Sequence, residues 1–322
     1  MSDSNSPTRT SSKPGQPLSG SGVTSRFFEP QQLAGLERLR FTSKRRVEGA
    51  YSGRHIAKQR GGSGEFVDYR EYAPGDDLRR LDWKARGRTG RNYLKLFQDE
   101  TDLHCTLFID GSGSMLQGER AGVGLLNSKL NWVQFFSTAL SHLIVGGRDS
   151  AGLAVGRQGL DTYLSPGSSM RQLALMHQEI ESLKPSGQTD LSKSLDDLML
   201  QSRRRGVLML LSDFLVDNLH ASISAIRKFR VRGWEIIALH IVHPDEEDLP
   251  AGNAFRFVGL ESAEEASCQV AEVRQAYKAR FQRHAEETRA LLVGVGCDYH
   301  YVSTSQSYVD VLRNFMVARS VG

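Results

Sequence analysis

The sequence predicts an α/β fold built on a doubly wound, mainly parallel sheet. After Leu103, short strand-like runs alternate with longer segments whose apolar residues recur at helical spacing. Residues 207–211 are wholly apolar, which is typical of a strand covered on both faces. Asp110 and Asp213 each follow such an apolar run, where parallel sheets commonly bind ligands.

The predicted elements follow in chain order. A first helix is expected over 30–41, because Leu33, Leu36, Leu39 and Phe41 recur at near-helical spacing. Strands are predicted at 103–109, 150–155, 160–164, 207–211, 234–242 and 299–303. Helices are predicted at 130–145, 170–183, 191–200, 223–231, 270–292 and 308–318.

Composition divides the chain into three parts. Residues 1–25 are rich in Ser, Pro and Gly and carry few apolar side chains, so we expect a disordered tail. Residues 26–100 form an N-terminal extension that we expect to pack on the sheet, and residues 101–322 form the α/β domain. Because no run is long and apolar enough to span a membrane and no signal-peptide pattern opens the chain, a cytoplasmic location is expected.

The cysteine spacing suggests neither a disulfide framework nor a thiolate metal site. Cys105, Cys268 and Cys297 lie far apart in no metal-binding spacing, so we expect three buried thiols. Basic residues crowd the early chain, and either a solvated or partner-facing arm or a nucleic-acid surface accounts for them. The arm is favoured, because no recognition helix or stacking motif accompanies the charge. The cluster comprises Arg38, Arg40, Lys44, Arg45, Arg46, Arg54, Lys58 and Arg60.

The loop after the first predicted strand of the domain reads FIDGSGSM, and its spacing excludes three familiar sites. A dinucleotide-binding loop needs a third glycine where Leu116 stands, and a phosphate-binding P-loop needs a Gly-Lys-Ser/Thr ending. A nucleophile elbow needs glycines two residues either side of Ser112, where Asp110 and Ser114 stand.

What remains is a D-x-S-x-S arrangement of Asp110, Ser112 and Ser114. Thr189, in the loop GQTDL, and Asp213, after the next apolar strand, would add a hydroxyl and a second carboxylate. Hard oxygen ligands suit Mg²⁺, with Mn²⁺ and Ca²⁺ as alternatives. Ordinary turn residues, with Asp213 as a helix cap, are the competing interpretation.

These five positions, in this order, resemble the metal-ion-dependent adhesion site of von Willebrand factor A domains. The resemblance implies that the serines bind the metal directly, the threonine directly or through water, and the aspartates largely through water. It also implies an open metal position for a carboxylate of a partner protein. Gln188 stands where that family often has glycine.

The preceding segment, 67–100, is rich in specific side chains. Asp76, Asp77 and Asp82 suggest either a paired-carboxylate hydrolase site or an internal capping and salt-bridge network. The network is favoured, because no nucleophile or base with an orienting partner accompanies them. Asp82 and Trp83 have the spacing of a helix start.

The same segment resembles the signature of the bacterial domain-of-unknown-function family 58. The matching residues are Tyr72, Pro74, Gly75, Asp76, Asp77, Arg79, Asp82, Trp83 and Arg88. That resemblance implies a von Willebrand factor A-like protein acting with a MoxR-type AAA+ ATPase in the chaperone-like assembly or maturation of other proteins.

Three functions follow in order of preference. The first is a non-enzymatic, metal-dependent module that binds an acidic client protein. The second is a metal-dependent phosphohydrolase, which needs a general base or a phosphate clamp near Asp110. His104 lies in the same predicted strand and His142 on a predicted helix, where a lone histidine is more often structural. The third is nucleic-acid binding through the early basic cluster.

Overall fold

The computed structural model describes residues 25–39, 41–43, 65–72, 81–98, 103–118, 128–249, 254–258 and 265–320. The N-terminal segment forms a short helix α1 (Pro30–Leu33) and a 3₁₀ turn (Leu36–Arg38). The predicted single helix over 30–41 is therefore wrong. Gly35 lies between the two turns at φ 91°, a left-handed conformation that interrupts an α-helix. Leu33, Leu36 and Phe41 nevertheless pack into the main core.

A hairpin precedes the sheet. Strands β1 (Glu65–Glu71) and β2 (Tyr93–Gln98) pair antiparallel, and α2 (Trp83–Thr89) lies between them in sequence. The Asp82 carboxylate accepts hydrogen bonds from the backbone N–H groups of Lys84 and Ala85, which satisfies donors at the start of α2. The hairpin strands were not predicted, whereas the helix start at Asp82 and Trp83 is confirmed.

Within the described residues the main sheet has six strands, in the order β10-β7-β6-β3-β4-β5. All neighbours pair parallel except β4 and β5, which pair antiparallel. A separate antiparallel pair is formed by β8 (Ala254–Val258) and β9 (Glu265–Gln269). The main-sheet strands are β3 (His104–Asp110), β4 (Ser150–Gly156), β5 (Leu160–Gly167), β6 (Val207–Ser212), β7 (Glu235–Val242) and β10 (Asp298–Ser303).

Helices cover both faces of this sheet, as predicted. One core contains side chains of α3, α4 and α9 together with the N-terminal segment, and the other contains side chains of α5, α6 and α8. No helix among the described residues is both long and apolar enough to cross a bilayer. The helices are α3 (Lys129–Gly146), α4 (Met170–Ser182), α5 (Leu191–Gln201), α6 (Leu219–Val231), α7 (Pro244–Glu247), α8 (Val270–Gly294) and α9 (Tyr308–Ser320).

The strand order places a crevice beside Asp110. From β3 the chain first builds outward to β4 and β5, and it later returns to pair β6 on the opposite side of β3. The connections after β3 and β6 therefore leave the carboxyl edge in opposite directions, which is the switch point where doubly wound sheets bind ligands. Asp110 ends β3, and Asp213 follows the last residue of β6.

Candidate metal site

Asp110 is the buried centre of the crevice, with 1% of its surface exposed. Its Oδ1 accepts hydrogen bonds from the Ser112 backbone N–H at 3.0 Å and from the Thr189 hydroxyl at 2.7 Å. Its Oδ2 accepts a hydrogen bond from the Ser212 hydroxyl at 2.5 Å. Three neutral donors therefore hold the carboxylate in one orientation.

Backbone hydrogen bonds join the serine loop to the threonine loop. Gly113 N–H donates to the Gly187 carbonyl at 2.7 Å, and Ser186 N–H donates to the Gly111 carbonyl at 3.1 Å. A Cβ atom at Gly111 would lie 2.8 Å from the Gly156 carbonyl oxygen, so this close approach requires glycine. The two backbone hydrogen bonds thus hold the threonine loop beside the serine loop.

The remaining predicted ligands complete a connected set. Ser112 Oγ and Ser114 Oγ are 2.9 Å apart, and the Ser114 hydroxyl hydrogen-bonds to Asp213. All five predicted residues are therefore linked by hydrogen bonds across three loops. Asp213 does not cap α6, because the Asn218 side chain does so. Its Oδ1 instead accepts the Leu215 N–H at 3.0 Å.

Sequence reasoning missed a lysine and a glutamate beside this set. Lys129 Nζ lies 2.6 Å from Asp213 Oδ2 and 2.5 Å from Glu246 Oε1. Lys129 follows the N-cap Ser128 of α3, and Glu246 belongs to the capping box of α7, where its Oε2 accepts the His243 N–H. Sequence patterns can indicate the capped starts of α3 and α7. They do not reveal that the side chains of Lys129 and Glu246 meet.

The two aspartates have opposite pKa shifts. Burial raises the pKa of Asp110, the negative charge of Asp213 raises it further, and the three hydrogen-bond donors only partly oppose this. For Asp213, burial favours a higher pKa, but the Lys129 charge, with the Ser114 and Leu215 donors, lowers the pKa below its usual value. Burial would lower the pKa of Lys129, yet Asp213 and Glu246 together raise it. Lys129 is therefore a cation.

This donor set fits a divalent cation. Buried charges in proteins are normally paired or bound to metal, and Asp213 has Lys129 as its partner. Asp110, by contrast, contacts only neutral donors among the described residues. The available ligands are hydroxyl and carboxylate oxygens, which suit Mg²⁺, Mn²⁺ or Ca²⁺. No group of three His, Cys, Asp or Glu side chains converges in the described part of the chain, so hydroxyls are essential to any such site.

The other predicted residues lie away from this crevice. Asp82 caps α2, whereas Asp76 and Asp77 fall outside the described residues, so their role stays a prediction. His104 begins β3, at the end opposite Asp110, and His142 lies on α3 against Phe28. Neither is placed as a base for Asp110.

The buried-thiol and basic-arm predictions are resolved in part. Cys105 and Cys297 are buried and reduced, and burial raises the pKa of each thiol to about 12. The side chain of Cys268 lies outside the described set. Of the early basic cluster only Arg38 is described, so the arm and nucleic-acid interpretations stay predictions.

The fold and crevice define the class: an α/β protein with a doubly wound sheet and an oxygen-lined site at its switch point. Residues 68–290 match the family described as "Protein of unknown function DUF58", so the chain belongs to that family. The family resemblance seen in the 67–100 segment is thereby confirmed.

Relatives cover nearly the whole chain. The chain is 25% identical over 304 residues to "Uncharacterized protein Rv1480" of Mycobacterium tuberculosis (strain ATCC 25618 / H37Rv), covering 91% of this chain and 92% of the relative. It is equally similar to "Uncharacterized protein Mb1516" of Mycobacterium bovis (strain ATCC BAA-935 / AF2122/97), over the same 304 residues and the same shares of both chains.

Solved structures give weaker similarities. The conserved hypothetical protein BatB from Bacteroides thetaiotaomicron matches with TM-score 0.43 and 12% identity, covering 68% of this chain and 100% of that one. The SpRpn10 VWA domain matches with TM-score 0.37 and 14% identity, covering 66% of this chain and 94% of that one. Manganese-loaded Plasmodium vivax TRAP protein matches with TM-score 0.37 and 12% identity, covering 67% of this chain and 73% of that one. Because these similarities are weak, the fold is described from the strand order of this chain alone.

Proposed function

We propose that this protein is a divalent-cation-dependent protein-binding module without catalytic activity of its own. In this proposal it acts with a MoxR-type AAA+ ATPase in the chaperone-like assembly or maturation of client proteins. The cation, preferably Mg²⁺, would be held by Asp110, Ser112, Ser114, Thr189 and Asp213. An acidic side chain of the partner would complete the coordination.

The observation that carries this proposal is the environment of Asp110. A carboxylate with 1% exposure and three neutral donors is costly to keep ionised unless a cation lies beside it. The Ser112 and Ser114 hydroxyls lie on the same loop and are linked to Asp213. A divalent ion would relieve the unfavourable charge and retain capacity for a negative ligand.

The chain's own residues would divide the work. The serines and Thr189 would supply neutral oxygens, so that the bound ion keeps much of its charge for the partner's carboxylate. Lys129 would keep Asp213 ionised and fixed through its 2.6 Å contact. Such a charge-assisted contact anchors a partner, while the surrounding surface sets specificity.

A phosphohydrolase is the weaker proposal, because the histidines near the crevice are engaged elsewhere. His240 Nδ1 shares a hydrogen bond with the Tyr299 hydroxyl at 2.8 Å, and burial lowers its pKa to about 3. His243 Nδ1 accepts the Asp245 N–H at 3.1 Å. Neither is presented as a proton acceptor for a metal-bound water.

The test is a pull-down of the host's MoxR-type ATPase and client proteins in Mg²⁺ and in EDTA. Wild type should retain at least one partner in Mg²⁺ that it loses in EDTA, and Asp110→Ala should not retain that partner in either condition. Asp217→Ala removes an exposed carboxylate at the same edge of the sheet and should behave as wild type. Equal retention by wild type and Asp110→Ala in every condition would refute the metal-bridged contact.

A further inference from the structure

A second surface lies at the edge of the sheet opposite the candidate metal site. Helices α5 and α6 pack side by side in the second core and lead into the parallel strands β6 and β7. The carboxyl ends of α5 and α6 therefore lie together at the amino edge of strands β6 and β7. The connections that follow are joined there, because Glu235 N–H donates to the Gly206 carbonyl at 3.0 Å.

Two aliphatic side chains at these helix ends face solvent. Leu200, near the end of α5, is 83% exposed, and Val231, the last residue of α6, is 82% exposed. They are the two most exposed large apolar side chains in the described part of the chain. Most other apolar residues of these two helices are buried in the second core. Leu200 and Val231 therefore contribute little to this core and are available to a partner.

Arginines follow these two side chains in the connections to β6 and β7. Arg203, Arg204 and Arg205 follow α5, Arg232 follows α6, and all four are exposed. Arg205 reaches the second connection, since its Cδ and Nη1 lie 3.6 Å from the point where a Gly233 Cβ would stand. Arg204 Nη1 lies 3.4 Å from His104 Nε2. These six residues, Leu200, Arg203, Arg204, Arg205, Val231 and Arg232, are named the arginine edge.

The positive charge of the arginine edge is not neutralised by the described residues around it. Its four guanidinium groups make no ion pair with a described carboxylate. The nearby carboxylates are already engaged: Glu235 lies 2.6 Å and Asp298 3.2 Å from the buried Arg319 guanidinium. The arginines lie beyond the last turns of α5 and α6, so stabilising those turns does not account for all of them.

We propose that the arginine edge docks an acidic protein segment that carries aliphatic side chains. Guanidinium groups bind carboxylates in a planar, two-point geometry, and the exposed Leu200 and Val231 would add apolar contacts. The arginine edge contains no aromatic side chain on which nucleic-acid bases would stack. Two aliphatic side chains also offer little insertion into a bilayer.

This surface goes beyond the metal-dependent contact, because the two sites lie at opposite edges of one sheet. Both can be occupied at once, so the protein would bridge two partners. The Asp110 crevice would bind one partner through a cation, and the arginine edge would bind the other without one.

The test selects a displayed library of random 15-residue peptides on the immobilised full-length protein in EDTA, which removes any metal-dependent binding. Wild type should enrich peptides that combine Asp or Glu with Leu, Ile or Val. The charge-reversed variant Arg203→Glu/Arg205→Glu/Arg232→Glu should bind the selected peptides at least tenfold more weakly. Leu200→Ser/Val231→Ser should weaken binding of the selected peptides by a smaller factor. The control variant Arg171→Glu/Arg280→Glu/Arg283→Glu reverses three exposed arginines elsewhere and should leave peptide binding unchanged.

Several outcomes would overturn the proposal. Selected peptides without an acidic excess would do so, as would equal binding by the charge-reversed variant. Phosphatidylserine vesicles or duplex DNA that bound wild type more tightly than the selected peptides would assign the surface to a different partner. A rise in the mass of wild type in light scattering, absent from the charge-reversed variant, would identify it as a contact between copies of this chain. Thermal unfolding of each variant ensures that folded proteins are compared.

Discussion

Lys129 Nζ lies 2.6 Å from Asp213 Oδ2, and the two side chains are only 0% and 2% exposed. The same ammonium lies 2.5 Å from Glu246. A buried lysine thus joins the start of α3 to the end of β6 and to α7. Because Lys129 compensates Asp213 and not Asp110, the two aspartates of the crevice differ: Asp213 has a cationic partner, whereas Asp110 has only neutral donors among the described residues.

Lys129→Met should destabilise the fold strongly. It leaves Asp213 and Glu246 buried without their cation, and removing one partner of a buried pair costs about 3–5 kcal/mol. Urea unfolding in EDTA measures the change. Lys228→Met, which breaks the exposed pair with Asp196 at 2.7 Å, is the control and should cost no more than about 1 kcal/mol. Equal effects of the two changes would contradict the role given to Lys129.

Ser212→Ala should weaken the support of Asp110. It removes the donor to Asp110 Oδ2 and also the acceptor of the Phe214 N–H at 2.9 Å. Leaving buried polar groups unsatisfied costs about 1–3 kcal/mol each. Ser224→Ala, on an exposed part of α6, removes a hydroxyl bonded to the His220 carbonyl and should change unfolding little. A Ser212→Ala protein as stable as Ser224→Ala would show that this hydroxyl does not support Asp110.

Gly156→Ala should destabilise the fold by crowding the buried Phe108 ring. A Cβ at this position would lie 2.3 Å from Phe108 Cζ and 3.1 Å from Ser194 Cβ. Overpacking of this kind costs about 1–3 kcal/mol. Gly146→Ala, at the end of α3 with no atom within 4 Å of the new Cβ, should be neutral or mildly stabilising. Chemical unfolding of both variants compares the two, and a neutral Gly156→Ala would contradict the close packing of β4 on β3.

Acid should destabilise the contact between the N-terminal segment and the helices α3 and α4. His177 is buried beside Ser141 and Phe28, and burial, with the nearby His142, lowers its pKa to about 4. Burial also lowers the pKa of His142, which Glu37 partly opposes. Since the unfolded chain binds protons with an ordinary histidine pKa of about 6.5, stability is highest above that value and falls as pH decreases toward 4.

The His177 share of this loss is about 2 kcal/mol between pH 7.5 and pH 5. Urea unfolding at both pH values should show a smaller loss for His177→Gln than for wild type, with the difference near that amount. Identical pH dependence of the two proteins would mean that His177 is not held neutral in the fold.

The sequence predicted the sheet well because strands and helices leave local patterns, and the five candidate ligands lie together in the structure. Short apolar runs alternating with helical periodicity define a doubly wound sheet, and loops after parallel strands meet at one edge. This rule accounts for the proximity of Asp110, Ser112 and Ser114 to Asp213. The β1–β2 hairpin was missed because its strands, EFVDYRE and YLKLFQ, mix charged and apolar residues without clear alternation.

The lysine of the site could not be predicted. A lysine at a helix start is ordinarily solvated, and Glu246 lies 117 residues further along the chain. The N-terminal helix failed for a different reason. Leu33, Leu36 and Phe41 are buried as their spacing suggested, but Gly35 adopts a left-handed conformation. Leu33 and Leu36 therefore reach the core from two short turns, and Phe41 reaches it from the segment that follows them.

Binding of Mn²⁺ followed by electron paramagnetic resonance tests the central claim most directly, because the free ion gives a signal that is lost on binding. Wild type should bind one Mn²⁺ per chain, with Mg²⁺ competing. Ser112→Ala/Ser114→Ala should weaken binding at least tenfold, whereas the exposed pair Ser224→Ala/Ser305→Ala should not. Absence of binding by wild type at millimolar Mn²⁺, or equal binding by the Ser112/Ser114 variant, would contradict the assignment of a cation to Asp110.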